Sequence, residues 1–258
     1  MATHRISYAS DLGWANGEAP SLIAGSVASY DPATSGIDIF RSIGSLRAGF
    51  SSTEVGTSTV TDNITQIKLA SIYDGTTLSR EALCYGSGGK LYRISDAATP
   101  VVAQIGSTVT NNTNGIEIHK DYLYYAQKTQ IGRWGAINAV SPSQTNGYWT
   151  GFTGTVKGQT IDHPMQSWRG KLYVGDTNLL KYVLGSESSG TTGTTQMTLD
   201  SDYIITALAE NGPLLLIGAG QEPVVDTESK VSAWLMTWDG TSATVASSTL
   251  PTDKFLFP

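Results

Sequence analysis

Three histidines (His4, His119 and His163) and one cysteine (Cys84) are the side chains here best suited to nucleophilic or metal chemistry. Their spacing argues against both. No histidines pair as in H-E-x-x-H, and one cysteine cannot build a thiolate cluster, so the sequence predicts no metal site. Asp162-His163-Pro164 invites a partnership with a distant serine, yet no G-x-S-x-G elbow accompanies it, and it reads as a turn before a proline. His119, beside Lys120-Asp121, reads as an exposed turn residue. Cys84 sits in an apolar strand and reads as an inert buried thiol. Gly86-Ser87-Gly88-Gly89-Lys90 lacks phosphate-loop spacing and precedes a strand where that motif opens a helix. Gly218-Ala219-Gly220 lacks the third glycine of a dinucleotide fold, and Asp200-Ser201-Asp202 has too few carboxylates for a calcium loop. Carboxylates paired only by folding stay open at this level. No catalytic, cofactor-binding or metal-ligating residue is assigned, and the chain is read as no enzyme.

The elements that carry these residues are short strands. One apolar anchor recurs as Leu83-Cys84-Tyr85-Gly86, Leu123-Tyr124-Tyr125-Ala126, Leu172-Tyr173-Val174-Gly175 and Leu215-Leu216-Ile217-Gly218, at intervals of 40, 49 and 43 residues. Each has a partner: Leu91 to Ile94, Ile131 to Trp134, Leu179 to Tyr182, and Trp234 to Trp238. Further strands flank each pair, such as the alternating Ile64-Thr65-Gln66-Ile67-Lys68-Leu69, which reads as half-buried. Four strands per unit at this period predict an all-β chain with β-propeller architecture. About five blades are expected, the ring being incomplete or closed by both termini.

Residues 1–62 read as an extended N-terminal arm and a poorly matched first blade, and 63–258 as the propeller blades. Only Ile37 to Phe40 and Leu46 to Phe50 suggest strands in the arm, with Tyr8 and Trp14 as candidate anchors. The fourth unit is irregular. Its anchor and partner start 19 residues apart, against 7 or 8 elsewhere, because Gln221 to Ser232 intervene. Gln221, Glu222, Asp226, Glu228 and Lys230 of that insertion are the candidate contact loop. Trp134, Trp234 and Trp238 read as inter-blade packing, and an exposed Trp14, Trp149 or Trp168 would suit a sugar ring or a partner.

Charged residues make up 15% of the chain against roughly 25% in typical soluble domains. The surface must therefore be covered by Ser, Thr, Asn, Gln and Gly. Net charge is −6 with no basic run, which speaks against sequence-specific nucleic-acid binding. No signal-peptide h-region opens the chain, and its longest apolar stretch, Leu214 to Ala219, is too short to span a bilayer.

Tyr73-Asp74-Gly75-Thr76-Thr77 and Trp238-Asp239-Gly240-Thr241-Ser242 share one turn form. Over about residues 63–258 this resembles the aromatic-Asp-Gly-Thr turns of β-propellers in bacteriophage tail proteins and bacterial surface proteins. The S-x-D-x-G-x-T-W box of sialidase-type propellers and the WD40 signature are both missing. The resemblance implies a structural or adhesive role and transfers no catalytic residue. The expectation is a structural protein of a phage-like virion, made in the host cytoplasm. It would assemble with other virion proteins and copies of itself, without membrane insertion. A glycan-binding or glycan-cleaving cell-surface propeller and an intracellular interaction scaffold are the alternatives.

Overall fold

A computed structural model describes residues 60–73, 76–96, 100–221, 233–241 and 246–250, with strand residues 37–38 and 47–48. The chain forms two compact units, Met1–Glu54 and Val55–Pro258. In the first, β1 (Ile37–Asp38) pairs antiparallel with β2 (Arg47–Ala48). Tyr8 and Trp14, the candidate anchors of the expected arm, lie outside the described residues.

The second unit contains four sheets that follow one another as propeller blades, three of them antiparallel and four-stranded and one with a fifth strand added in parallel. Blade one is β3 (Ile64–Tyr73), β4 (Leu78–Gly86), β5 (Leu91–Ser95) and β6 (Val102–Ile105). Blade two is β7 (Asn112–His119), β8 (Tyr122–Gln127), β9 (Gln130–Gly135) and β10 (Ser143–Thr150). A small hairpin of β11 (Thr155–Val156) and β12 (Gln159–Thr160) leads to blade three. That blade comprises β13 (Met165–Trp168), β14 (Lys171–Asp176), β15 (Leu179–Val183) and β17 (Thr194–Thr198). Between the last two, β16 (Thr191–Thr192) pairs parallel with β10 and so adds a fifth strand to blade two. Blade four is β18 (Tyr203–Asn211), β19 (Leu214–Gln221), β20 (Ala233–Trp238) and β21 (Ala246–Leu250). No helix occurs among the described residues, and so none that is long and apolar enough to cross a membrane.

The recurring anchors are the second strands, β4, β8, β14 and β19. Leu83, Leu123, Leu172 and Leu215 are fully buried, because each sits on a central strand and faces a seam with a neighbouring blade. Seams hold the blades together. Ala70, Ile72, Leu83, Tyr85 and Leu91 of blade one pack on Ile116, Leu123, Tyr125, Trp134 and Ile137 of blade two and its loop. Trp168, Tyr173 and Leu180 of blade three pack on Ile205, Leu215, Ile217, Met236 and Trp238 of blade four.

Each seam is also tied by backbone. The segment entering the next blade donates to the turn between the second and third strands of the blade it leaves. Val109 N donates to Gly89 O (2.8 Å), Phe152 N to Thr129 O (3.2 Å) and Ile205 N to Thr177 O (2.8 Å). Among the described glycines Gly115 marks the tightest approach to another backbone. Its φ is +148°, and a Cβ there would lie 2.1 Å from the His163 carbonyl oxygen. Gly170, with φ +75°, faces open space, so Gly170→Ala should cost only the backbone strain of about 1–2 kcal/mol. Gly115→Ala adds a clash between backbones and should lower the urea midpoint at least about twice as far; equal midpoints would show that this approach is not a constraint.

Candidate functional site

The seams bring together the polar residues that the sequence separates widely. His119 ends β7 and Ser167 lies on β13, 48 residues away. His119 Nδ1 stands 2.8 Å from Ser167 Oγ and Nε2 stands 3.1 Å from the Leu184 carbonyl oxygen. A carbonyl can only accept, so Nε2 carries the proton and Nδ1 accepts from the serine hydroxyl. His119 is therefore buried, at 2% exposure, and not the exposed turn residue its sequence neighbours suggest. The correction has a plain cause: the turn residues Lys120 and Asp121 are wet, but His119 is the last strand residue and points into the seam.

A serine hydrogen-bonded to a neutral histidine is the geometry of an activated nucleophile. Acyl transfer also needs donors for a developing oxyanion. The neighbouring amides of Leu184 and Gly185 both donate to the Glu187 carboxylate, with Gly185 N at 2.7 Å from Oε2, so this cradle is filled. The pair is a clamp between blades two and three.

His163 forms a second clamp on the same seam. It is wholly buried, its Nδ1 3.1 Å from Gly175 O and its Nε2 3.2 Å from Lys128 O, with Phe152 edge-on at 5.4 Å. Asp176 and Lys181 add a buried ion pair at 2.5 Å. Asp176 also accepts from Thr153 N, and Lys181 donates to Gly151 O, so the pair holds the segment that leaves blade two. Across the first seam Lys68 pairs with Glu117 at 2.7 Å, and Gly115 N donates to Gln66 Oε1 at 3.0 Å. Within blade one, Glu81 is ion-paired with Arg93; burial alone would raise its carboxyl, but bonds from Arg93 and Ser79 bring it below the usual range. Among the described residues no group of three or more His, Cys, Asp or Glu side chains could hold a metal ion.

Blade one carries a surface that the sequence reading oriented the wrong way. The alternation from Ile64 to Leu69 suggests apolar residues facing inward. A bulge between Ile64 and Gln66 shifts the phase. Gln66 and Lys68 consequently turn to the seam, while Ile67 and Leu69 are 58% and 81% exposed. Tyr73 and its cross-strand partner Leu78 continue the same face at 50% and 68% exposure. Farther across that face, Cys84, Tyr92 and Val102 form a small cluster with Ala82 and Ile94. The inner strands pack in succession, β3 on β7, β7 on β13 and β13 on β18. No comparable contact joins β18 to β3 among the described residues. The face of blade one turned away from blade two thus keeps exposed the kind of residue that fills the seams.

Of the proposed contact loop, Glu222, Asp226, Glu228 and Lys230 lie outside the described residues, and Gln221 ends β19 opposite Tyr203. Trp149 and Trp168 are buried at 0% and 3%, which removes them as exposed ligand platforms. Trp149 instead stacks on Tyr124 at 4.6 Å, and Trp168 donates from Nε1 to Gly212 O at 3.2 Å. Trp14 lies outside the described residues. No family model matches the chain, and no curated protein matches it.

Burial pushes the His119 imidazole below its ordinary value of 6.5, with Lys120 adding to the effect and the Leu184 carbonyl and Glu187 opposing it. The unfolded chain therefore binds this proton more readily than the folded one, and stability rises with pH across the interval. That contribution is complete above about pH 6.5 and fades as pH falls toward the lower folded value. Urea midpoints should drop between pH 7.5 and 5.5, and the His119→Gln protein should show a shallower drop. Parallel slopes would mean that His119 is not the titrating clamp.

Proposed function

We propose that this chain is a non-enzymatic structural protein of a phage-like virion, built into the particle through protein–protein contacts. The observation that carries the reading is the exposed apolar face of Ile67, Leu69, Tyr73 and Leu78 on an otherwise well-covered blade. Water disfavours such a face, and the apolar faces buried in the seams are hidden by the neighbouring blade. Its occupant is accordingly another virion subunit presenting an apolar β-sheet surface. The turn at Trp238 supports the same reading through its likeness to tail-protein propellers: Thr241 N donates to Asp239 Oδ1 at 2.9 Å, and Gly240 has φ +87°. The Ser167–His119 pair, with its neighbouring amides filled, favours a scaffold over a hydrolase.

Purified particles should contain the chain in stoichiometric amount by quantitative mass spectrometry. The double variant Leu69→Asp, Leu78→Asp should keep its unfolding free energy in urea within about 0.5 kcal/mol, since both side chains are wet in the folded unit. It should nevertheless be missing from particles, or reduced in them at least tenfold. Absence of the unmodified chain would end the virion reading, and undiminished incorporation of the variant would exclude this face as the contact.

A further inference from the structure

A cleft of about 310 Å³ opens where blade three hands the chain to blade four. Its lining residues are Leu199, Asp200, Tyr203, Trp234 and Met236. Leu199 and Asp200 follow β17, Tyr203 opens β18, and the other two project from β20. The volume sits at the lower end for ligand pockets and suits a single small group. Tyr203 and Trp234 meet at 76° with ring centroids 5.8 Å apart, so they form two adjoining walls. The turn fixes the acidic rim: Tyr203 N donates to Asp200 O at 3.1 Å and Asp202 N to Asp200 Oδ1 at 3.3 Å. Among the described residues no cation pairs with that carboxylate.

The donor inventory decides what fits. A saccharide needs donors as well as acceptors around its hydroxyls. This cleft offers a carboxylate, a thioether, two aromatic rings and one phenol. Among the described lining side chains the only other donor, Trp234 Nε1, is buried from solvent without a partner and is not presented to a ligand. Carboxylate and π faces with no cationic or amide donor match an organic cation. Elsewhere the molecule supplies its own: Arg133 lies 3.5 Å from the Tyr148 ring centre, Lys171 3.8 Å from Tyr182 and Arg169 4.5 Å from Trp168. Tyr203 and Trp234 carry no such cation among the described residues. The net charge of −6 would draw a cation toward the chain.

We propose that this cleft binds an alkylammonium group, stacked in the corner of Tyr203 and Trp234 and paired with Asp200. Met236 and Leu199 pack against its methyl or methylene groups. The inference is independent of how the chain assembles. The group has two natural sources, a small free ammonium compound or a lysine side chain of a protein.

Isothermal titration at low salt, with tetramethylammonium, Nα-acetyl-lysine methylamide and glucose as probes, tests it on the full chain. At least one cation should bind saturably and one-to-one, and glucose should not. Asp200→Asn, at an exposed position, should weaken that binding about two- to fivefold, the range of a partly exposed ion pair. Tyr203→Leu should weaken it further, and circular dichroism should show both variants folded. Tighter binding of tetramethylammonium identifies a small quaternary ligand; tighter binding of the lysine derivative identifies a protein side chain. No saturable cation binding, an unchanged affinity in Asp200→Asn, or glucose binding as well as the cations would each overturn the proposal.

Discussion

A four-stranded sheet has two faces, and when both are apolar neither can be left to water. Everything in the second unit follows from that condition. A twisted blade cannot bury its own faces, so stability comes from stacking each against the next, as in other repeat architectures. The fully buried leucines of the four anchors mark this condition in each blade. Because neighbours must fit at close range, the chain between blades is pinned to the turn it has just left. Gly115 is glycine for the same reason: the strand backbone and the linker to blade three approach too closely for a side chain.

Close seams also explain the placement of polar groups. Polar atoms buried there must find partners, and the available partners are mostly backbone carbonyls and amides of the adjacent blade. His163 lies between two such carbonyls, Lys181 reaches Gly151 O, and Asp176 takes the Thr153 amide. These contacts specify how the blades are set against each other more than they add to net stability, since ionic groups in a seam carry their own desolvation penalty. His119 and Ser167 belong to this class. Their hydrogen bond has a nucleophile's geometry, and the adjacent Leu184 and Gly185 amides are taken by Glu187.

The strand content was legible because its signal is local. An anchor such as Leu123-Tyr124-Tyr125-Ala126 is apolar throughout, as a strand covered on both faces must be, and turns beside other anchors declare themselves by residues such as Gly88, Gly89, Gly170 and Asn178. Orientation was less legible. One bulged residue near Ile64 reverses which side of β3 faces the seam, and alternation by itself carries no sign. Contacts between blades were not legible at all. His119 meets Ser167 across 48 residues, and β16 adds to blade two after most of blade three has formed. The cleft is of the same kind: its five lining residues span positions 199 to 236 and converge only when two blades are stacked.

Stacking leaves two sorts of surface unaccounted for, and they differ in chemistry. The outer face of blade one exposes Ile67, Leu69, Tyr73 and Leu78 along β3 and β4, with the exposed cross-strand pair Ser71 and Arg80 among them. A row of this kind suits a protein surface that brings matching area. The cleft at the third seam is narrow, with one carboxylate set beside crossed rings, and offers too little area for a protein face. A group that fits must be small, cationic and partly apolar. Leu199 and Asp200 come from the segment that leaves β17, Tyr203 from the start of β18, and Trp234 and Met236 from β20, so the cleft is shaped by the linker between blades three and four together with the first and third strands of blade four.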